Sequence, residues 1–165
     1  MPNPSLDRIN LKILDALQQD ARISNVALAE QVALSPSPCL RRVRQLHERG
    51  VIQSVLTVVS PAAVGYQILA LIEVKIAQHG EDESAAFEDA VRAMPQILAC
   101  YLVSGTKDYV LQAVSRDVSA YSRLVKRIGG LPGIREIQSN IVLETVKPWS
   151  TLPLGAVSDV DLRED

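Results

Sequence analysis

The stretch that decides the fold of the first third of the chain is LSPSPCLRRVRQLHERG, residues 34–50. Pro36 follows Ser35 there, and proline is well tolerated at the first helical position because the N–H that it lacks would be unpaired anyway. We expect the Ser35 hydroxyl to cap this helix by accepting a hydrogen bond from a free N–H. Gly50 supplies the left-handed residue that commonly follows a helix C-terminus. The stretch therefore predicts a helix that ends at about Arg49.

The residues before this stretch predict two more helices. Apolar side chains recur at helical spacing from Leu6 to Leu17, and Ser5 or Asp7 can cap that helix. Ser24 is the cap candidate of a short second helix. Three helices in so short a span, the last two joined by a tight turn, are typical of a helix-turn-helix DNA-binding unit.

The third helix is a basic segment in a slightly acidic protein. The chain has 17 Lys+Arg against 19 Asp+Glu, and a net charge of −2. Residues 35–50 alone carry four arginines against a single acidic residue, Glu48. A local basic face of this kind fits phosphate binding better than a general polycation does.

The two faces of the third helix differ in character. We expect Leu40, Val43, Leu46 and part of His47 to form the apolar stripe that packs on the other helices. Arginine and glutamine near a helix N-terminus are residue types that reach base edges in the major groove, whereas flanking arginines hold phosphates. The alternative is a basic face that is simply solvated. The predicted DNA-binding residues are Ser35, Ser37, Pro38, Arg41, Arg42, Arg44, Gln45 and Arg49.

Residues 53–67 connect this unit to the rest of the chain. Val55, Thr57 and Val59 alternate with other residues, which is a strand pattern, and the segment is too apolar for a free linker. We expect a strand here that pairs with its counterpart in a second subunit.

Residues 68–148 predict a β-α-β-β-α-β domain that repeats internally. An offset of 37 residues aligns Met94-Pro95-Gln96-Ile97 with Leu131-Pro132-Gly133-Ile134. Two copies of a split β-α-β unit make a ferredoxin-like sheet with both helices on one face. The fold class is therefore α+β: a winged-type helix-turn-helix over residues 1–52, a β-rich connector, the ferredoxin-like domain, and a tail over residues 149–165.

The sheet face away from the helices needs a cover. A second subunit is the simplest one, so we expect a homodimer. The residues expected to leave this face apolar are Leu98, Cys100, Leu102, Ile137, Ile141 and Leu143.

Several classes of protein are disfavoured by the sequence. It shows no nucleophile with a base, no paired catalytic carboxylates and no glycine-rich phosphate loop, so we expect no enzyme and no cofactor. Two cysteines far apart and two histidines disfavour a metal site and a disulfide. With no apolar run long enough to span a bilayer and no secretory signal, the sequence predicts a cytoplasmic protein without membrane contact. The acidic end of the tail, residues 159–165, is expected to be disordered.

Taken together, the segments resemble the leucine-responsive/asparagine regulator (Lrp/AsnC) family of transcription factors over nearly the whole chain. The resemblance rests on an ordered set of motifs: Leu6-Asp7, Ile13-Leu14, Arg22-Ile23-Ser24-Asn25, LSPSPCLRRV at 34–43, Gly50-Val51-Ile52, VSGTKDY at 103–109 and LPGI at 131–134.

The resemblance implies a homodimer formed through the C-terminal domain, with assembly into tetramers, octamers or higher states. It implies binding to double-stranded DNA and a response to a free amino acid bound between dimers. A carboxylate can pair with the α-ammonium group of an amino acid, and turn N–H groups or hydroxyls can hold its α-carboxylate. The effector-binding residues that the resemblance implies are Ser104, Gly105, Thr106, Asp108 and Ser139.

Two alternatives stay open at this stage. The protein is either a sequence-specific regulator or a low-specificity architectural protein that wraps DNA. The Gly105–Asp108 turn is either part of an effector site or a plain β-turn, where glycine and aspartate are favoured anyway. Thr106-Lys107 departs from the acidic residue that commonly follows the turn glycine in the family.

Overall fold

The computed structural model describes residues 6–77 and 81–154 of the chain. It divides the chain into two compact units: residues 1–57 together with residues 147–165, and residues 58–146. Helices make up the first unit, and a sheet with two helices makes up the second. The predicted α+β class is confirmed. The expected disorder of residues 159–165 and the alternative cap Ser5 lie outside the described residues.

Three helices form the first unit: α1 (Arg8–Gln19), α2 (Asn25–Gln31) and α3 (Pro36–Glu48). The carboxylate of Asp7 caps α1, and the Ser24 hydroxyl caps α2 by accepting from Ala27 N.

The Ser35 side chain makes no capping hydrogen bond, so that prediction was wrong. An N-cap side chain accepts from the second or third helical N–H, and the third helical residue here is Pro38, which has none.

The core of the first unit shows which face of α3 is buried. Cys39 and Leu46 are fully enclosed against Ile13 and Leu28, and Val43 packs beside them. The prediction was wrong for Leu40, which is 39% exposed, and for His47, which is also exposed. Cys39 takes the buried position, as a thiol behaves like a small apolar side chain.

The chain returns to this unit near its end. The Nε2 atom of Gln18 donates to the carbonyl oxygen of Leu152 at 3.2 Å. The backbone N–H of Leu152 in turn donates to Oε1 of Gln18 at 2.8 Å. These two bonds hold the segment that begins at residue 147 against α1.

The connector is extended, but it forms no strand within this chain. Residues 53–60 carry no regular structure, and a single 3-10 turn follows at Ala62–Val64. Val55, Leu56, Val58 and Val59 are between 56% and 95% exposed. The expected pairing with a second subunit stays a prediction.

The second unit has the predicted β-α-β-β-α-β order. Its strands are β1 (Ile68–Ile76), β2 (Ile97–Leu102), β3 (Tyr109–Ser115) and β4 (Ile134–Ile141), arranged as β2-β3-β1-β4 with every neighbouring pair antiparallel. The two helices, α4 (Glu81–Arg92) and α5 (Val118–Gly129), are offset by 37 residues, as the repeat predicts. The structurally equivalent side chains Phe87 and Leu124, and Val91 and Ile128, all enter the core.

The sheet face away from the helices is mixed, since Glu73, Gln112, Gln138 and Asn140 lie on it, and four of the residues predicted to make it apolar lie on the other side. Directly opposed residues of antiparallel strands point to the same side. Ile137 and Ile141 oppose the buried Val74 and Ala70, so they face the helices. Cys100 and Leu102 also lie on the helix side, opposite Leu111 and Tyr109, and are exposed there because β2 is an edge strand.

Two exposed apolar side chains lie on the other side of the sheet. Leu71 opposes Gln112 and Tyr101 opposes Val110, and both are outside the alternation that enters the core. Leu71 is 42% and Tyr101 51% exposed. These two side chains are the ones that a second subunit is expected to cover on this side of the sheet.

Candidate DNA-binding face and effector turn

The exposed face of α3 gathers most of the predicted DNA-binding residues. Ser37, Arg41, Arg44 and Gln45 are all exposed, on the side of the helix away from the buried Cys39 and Leu46. Spacings of three and four residues place side chains on one helical face. Ser35 and Arg49 are exposed at the two ends of the helix, and Pro38 is half-buried.

Arg41 and Arg44 have no side-chain partner in the part of the chain that the structure describes. Across residues 6–77 and 81–154, neither guanidinium group takes part in an ion pair or a side-chain hydrogen bond. An exposed guanidinium of this kind has its five donors available for phosphate oxygens or for the acceptor pair of guanine.

Arg42 differs from its neighbours because it joins α3 to the start of α1. Its Nη1 donates to the Asp7 carboxylate at 2.6 Å and to the Asn10 side-chain oxygen at 3.0 Å. Burial raises the pKa of the Asp7 carboxyl, but hydrogen bonds from the Asn10 backbone and from Arg42 outweigh it, so that this pKa lies below its ordinary value of 3.8. The structure therefore gives Arg42 a contact inside the unit, unlike Arg41 and Arg44.

Leu40 is a candidate that the sequence reasoning missed. It was assigned to the buried stripe, but it is exposed one residue before Arg41. The signal was present: Cys39, Val43 and Leu46 have i, i+4, i+7 spacing, which leaves Leu40 off the stripe. An apolar side chain at this place can contact a thymine methyl group.

The N-terminus of α3 is held by α2. Asn25 Nδ2 donates to the carbonyl of Pro36 at 2.8 Å. Because the Ser35 hydroxyl makes no cap, it stays available on the exposed end of the helix. Helix N-termini favour anions, since their free N–H groups and the helix dipole point outward.

The turn between β2 and β3 exposes Ser104, Gly105 and Thr106. Gly105 has a φ of 128°, and a Cβ added to it would meet no atom within 4 Å. Backbone conformation, not crowding, is therefore what requires glycine here.

Asp108 anchors this turn to β1. Its carboxylate Oδ2 accepts from Ile76 N at 2.7 Å, and its own N–H donates to the carbonyl of Val74 at 2.9 Å. The pairing of β1 with β3 ends at Val74 and Tyr109, so the Asp108 carboxylate supplies the acceptor for Ile76 N just beyond the last strand pair. Asp108 is half-buried and has a structural task in addition to any role in binding.

Of the predicted effector residues, Ser139 alone is separated from the turn within one chain, and Lys107 of the turn, which was not among them, is already paired. Lys107 forms an ion pair with Glu136, and hydrogen bonding from Lys107 lowers the pKa of the Glu136 carboxyl. The Ser139 hydroxyl is hydrogen-bonded to Tyr121. Ser139 opposes Ile72, whereas Asp108 contacts Ile76, so the two sites lie about 13 Å apart along β1. One subunit alone does not bring them together.

The described residues form neither a membrane-spanning helix nor a cluster of metal ligands. No helix in residues 6–77 and 81–154 is long and apolar enough to cross a bilayer. The same residues contain no group of three or more His, Cys, Asp or Glu side chains placed to hold a metal ion.

These features define a two-domain transcription regulator that binds DNA through a helix-turn-helix. Residues 6–53 match the profile of winged helix-turn-helix DNA-binding domains, and residues 69–152 match that of the Lrp/AsnC ligand binding domain. The chain belongs to the Lrp/AsnC family.

Individual relatives are similar over almost their whole length. The leucine-responsive regulatory protein of Klebsiella pneumoniae is 40% identical over 92% of this chain and 93% of the relative. A transcriptional regulator of Neisseria meningitidis, solved as a complex with L-Met, is 39% identical with a TM-score of 0.84, over 90% of this chain and 97% of that one. An AsnC family regulator of Agrobacterium tumefaciens is 32% identical with a TM-score of 0.83 and the same coverage.

Proposed function

We propose that the protein is a sequence-specific regulator that reads DNA with the exposed face of α3. The observation that carries this proposal is that Arg41 and Arg44 are exposed and unengaged, on the side of α3 opposite its buried residues. In this scheme Arg41, Arg44 and Gln45 contact base edges, Leu40 contacts thymine methyl groups, and Ser35, Ser37, Pro38 and Arg49 contact or fit against the backbone. Arg42 holds α3 on α1 and contributes to binding by positioning the helix.

The experiment that tests specificity compares two duplexes at one salt concentration. One carries the DNA upstream of the protein's own gene, and the other is a shuffled sequence of equal length. A sequence-specific regulator binds the first at least about a thousandfold more tightly, whereas an architectural protein binds both with similar affinity. Equal affinities would favour the architectural alternative.

We further infer that the protein works as a homodimer or a larger assembly. The sheet face that carries Leu71 and Tyr101 is exposed in one chain, and so are the aliphatic side chains of the connector. A second copy of the chain would cover both. Because the relatives are transcription regulators, we infer a cytoplasmic protein without catalytic activity.

The effector is proposed to be a free amino acid bound between subunits. A Neisseria relative was solved with L-Met, and L-Met is therefore the first candidate. The exposed Ser104, Gly105 and Thr106 would face the ligand, and the second oxygen of Asp108, which has no hydrogen-bond partner among the described residues, would accept from the ammonium group. Ser139 would join such a site only from another subunit or after release from Tyr121.

Thermal unfolding with each of the twenty amino acids tests this proposal. A ligand present at one hundred times its Kd stabilises the folded state by about 2.7 kcal/mol. A flat response to all twenty would leave the 104–108 turn with a structural role alone, without affecting the DNA-binding proposal.

A further inference from the structure

A concave site in the second unit is rich in arginine. It is a cavity of about 370 Å³, and its lining includes Tyr66, Gln96, Arg116, Arg123 and Arg127. Arg123 and Arg127 are one helical turn apart on α5, and Arg116 lies just before that helix. Neither the helix-turn-helix nor the 104–108 turn takes part in this cavity.

The three guanidinium groups are not neutralised. No carboxylate lines the cavity, and none of the three arginines makes an ion pair within the described part of the chain. All three side chains are exposed, so an anion in the cavity could reach them without competing with a carboxylate of the lining. Composition does not explain the cluster, since residues 61–165 hold ten basic residues against fourteen acidic ones.

A second cavity of the same unit provides a comparison. It is about 430 Å³ in volume and its lining includes one arginine, Arg92. That guanidinium donates to Glu88 at 2.8 Å and to Asp89 at 2.6 Å, so its charge is already compensated. The absence of any such carboxylate is therefore specific to the arginine-rich cavity.

The remaining walls offer contacts for an organic ligand. The Arg116 guanidinium carbon lies 6.0 Å from the centroid of the Tyr66 ring, which restrains that side chain. The Oε1 atom of Gln96 is buried and has no hydrogen-bond partner among the described residues. Buried acceptors are normally satisfied, and a rotation of the Gln96 side chain, which lines the cavity, would present this acceptor to a donor group of a ligand.

We propose that this cavity binds a small phosphorylated metabolite. Arg123 and Arg127, with Arg116, would hold the phosphate oxygens in the bidentate manner that guanidinium groups favour. Gln96 would accept from a hydroxyl or amine of the same ligand. The volume falls within the range of small-molecule sites, and a DNA phosphodiester has no donor to offer Gln96. This site is independent of the proposed amino-acid site.

Calorimetric titration of the full-length protein tests the proposal, with ionic strength held constant by chloride. The two probes are pyrophosphate and ribose 5-phosphate. Arg123→Gln/Arg127→Gln removes two charges that line the cavity, and Lys126→Gln removes one from the same helix outside the cavity lining; all three side chains are exposed. We expect saturable binding of both probes to the wild type, weakened about tenfold or more by the double variant and changed less than about twofold by Lys126→Gln.

Gln96→Leu separates the two parts of the site. It is expected to weaken the binding of ribose 5-phosphate, which carries hydroxyl donors, more than the binding of pyrophosphate, which has no such hydroxyl groups. Thermal unfolding midpoints confirm that each variant is folded before it is titrated.

Three outcomes would overturn the proposal. One is the lack of saturable binding of either probe. Another is an equal loss in the double variant and in Lys126→Gln, which would indicate general charge screening. The third is a double variant that binds duplex DNA more weakly but binds both probes as tightly as the wild type, which would assign these arginines to the DNA backbone.

Discussion

Helix α3 and the 104–108 turn differ in how far their polar side chains are already bonded within one chain. On α3, Arg41 and Arg44 are exposed and unengaged, and one helix brings them together. In the turn, Asp108 accepts from Ile76 N and Lys107 is paired with Glu136, while Ser139, on β4, is hydrogen-bonded to Tyr121 of α5. The residues of the proposed DNA-binding face thus come together in a single chain, whereas those of the proposed effector site do not.

The largest effect is expected from removing both unengaged arginines of α3. Arg41→Ala/Arg44→Ala should weaken binding to the specific duplex, since each base-reading arginine contributes about 1–3 kcal/mol. Fluorescence anisotropy at fixed salt measures the loss. Lys126→Ala on α5 is the matched control, because it removes a surface charge far along the chain from α3. A loss of DNA affinity below about threefold in the double variant would contradict a role of these two arginines in binding DNA.

The buried and exposed leucines of α3 provide the next test. Leu46→Ala should lower the free energy of unfolding by about 2–5 kcal/mol, since it leaves a cavity in the core of the first unit. Leu40→Ala should cost less than about 1 kcal/mol, since that side chain is 39% exposed. Urea denaturation measures both. Similar losses of stability would mean that α3 presents a different face to the core.

Asp108 allows its structural and binding roles to be separated. Asp108→Ala should lower the free energy of unfolding by about 1–3 kcal/mol, because it leaves Ile76 N without an acceptor. Asp108→Asn keeps an acceptor oxygen and should cost less, but it removes the charge that would pair with an ammonium group. The expected result is a folded Asp108→Asn protein whose thermal midpoint no longer responds to L-Met. A retained response would remove Asp108 from the effector site.

Arg42→Ala should have a smaller effect, on stability more than on DNA affinity. It removes a partly exposed ion pair and one further hydrogen bond, worth together about 1 kcal/mol of unfolding free energy. Chemical denaturation with Arg42→Lys alongside would show whether the two-acceptor geometry matters. An unchanged unfolding free energy would show that the contact with Asp7 contributes nothing.

The contribution of the Arg42–Asp7 ion pair to stability should depend on pH only slightly and only at acidic pH. The pKa of Asp7 is lower in the folded state than its ordinary value of 3.8, so its contribution is present above that value and is lost as the pH falls through the lower folded one. The stability difference between wild type and Arg42→Ala should therefore shrink below about pH 4. A difference that persists unchanged at pH 2 would contradict this account of Asp7.

Local signals in the sequence predicted much of the fold. Ser24, Pro36 and Gly50 marked helix ends correctly, and the 37-residue repeat placed α4 and α5. These features are set by residues close in the chain, which is why a single sequence reveals them.

The errors arose where distant contacts decide the outcome. The prediction placed Ile137 and Ile141 on the wrong face of the sheet, because apolar residues in a strand do not show which face the helices cover. The Ser35 side chain makes no cap, and Pro38 at the third helical position removes one of the two donors that such a cap can use. The contact of Arg42 with Asp7 and Asn10 could not be predicted either, since these partners lie more than thirty residues away in the sequence, and its role in DNA binding stays a prediction.

The most direct test of the central claim compares Arg41→Ala with Arg42→Ala on the specific duplex, under conditions in which both variants are fully folded. The two arginines are adjacent in sequence and have the same charge, but only Arg41 is unengaged. We predict that Arg41→Ala weakens binding about tenfold or more and that Arg42→Ala stays within about threefold of the wild type. Equal losses in the two variants would contradict the claim that the exposed face of α3, rather than its total charge, binds DNA.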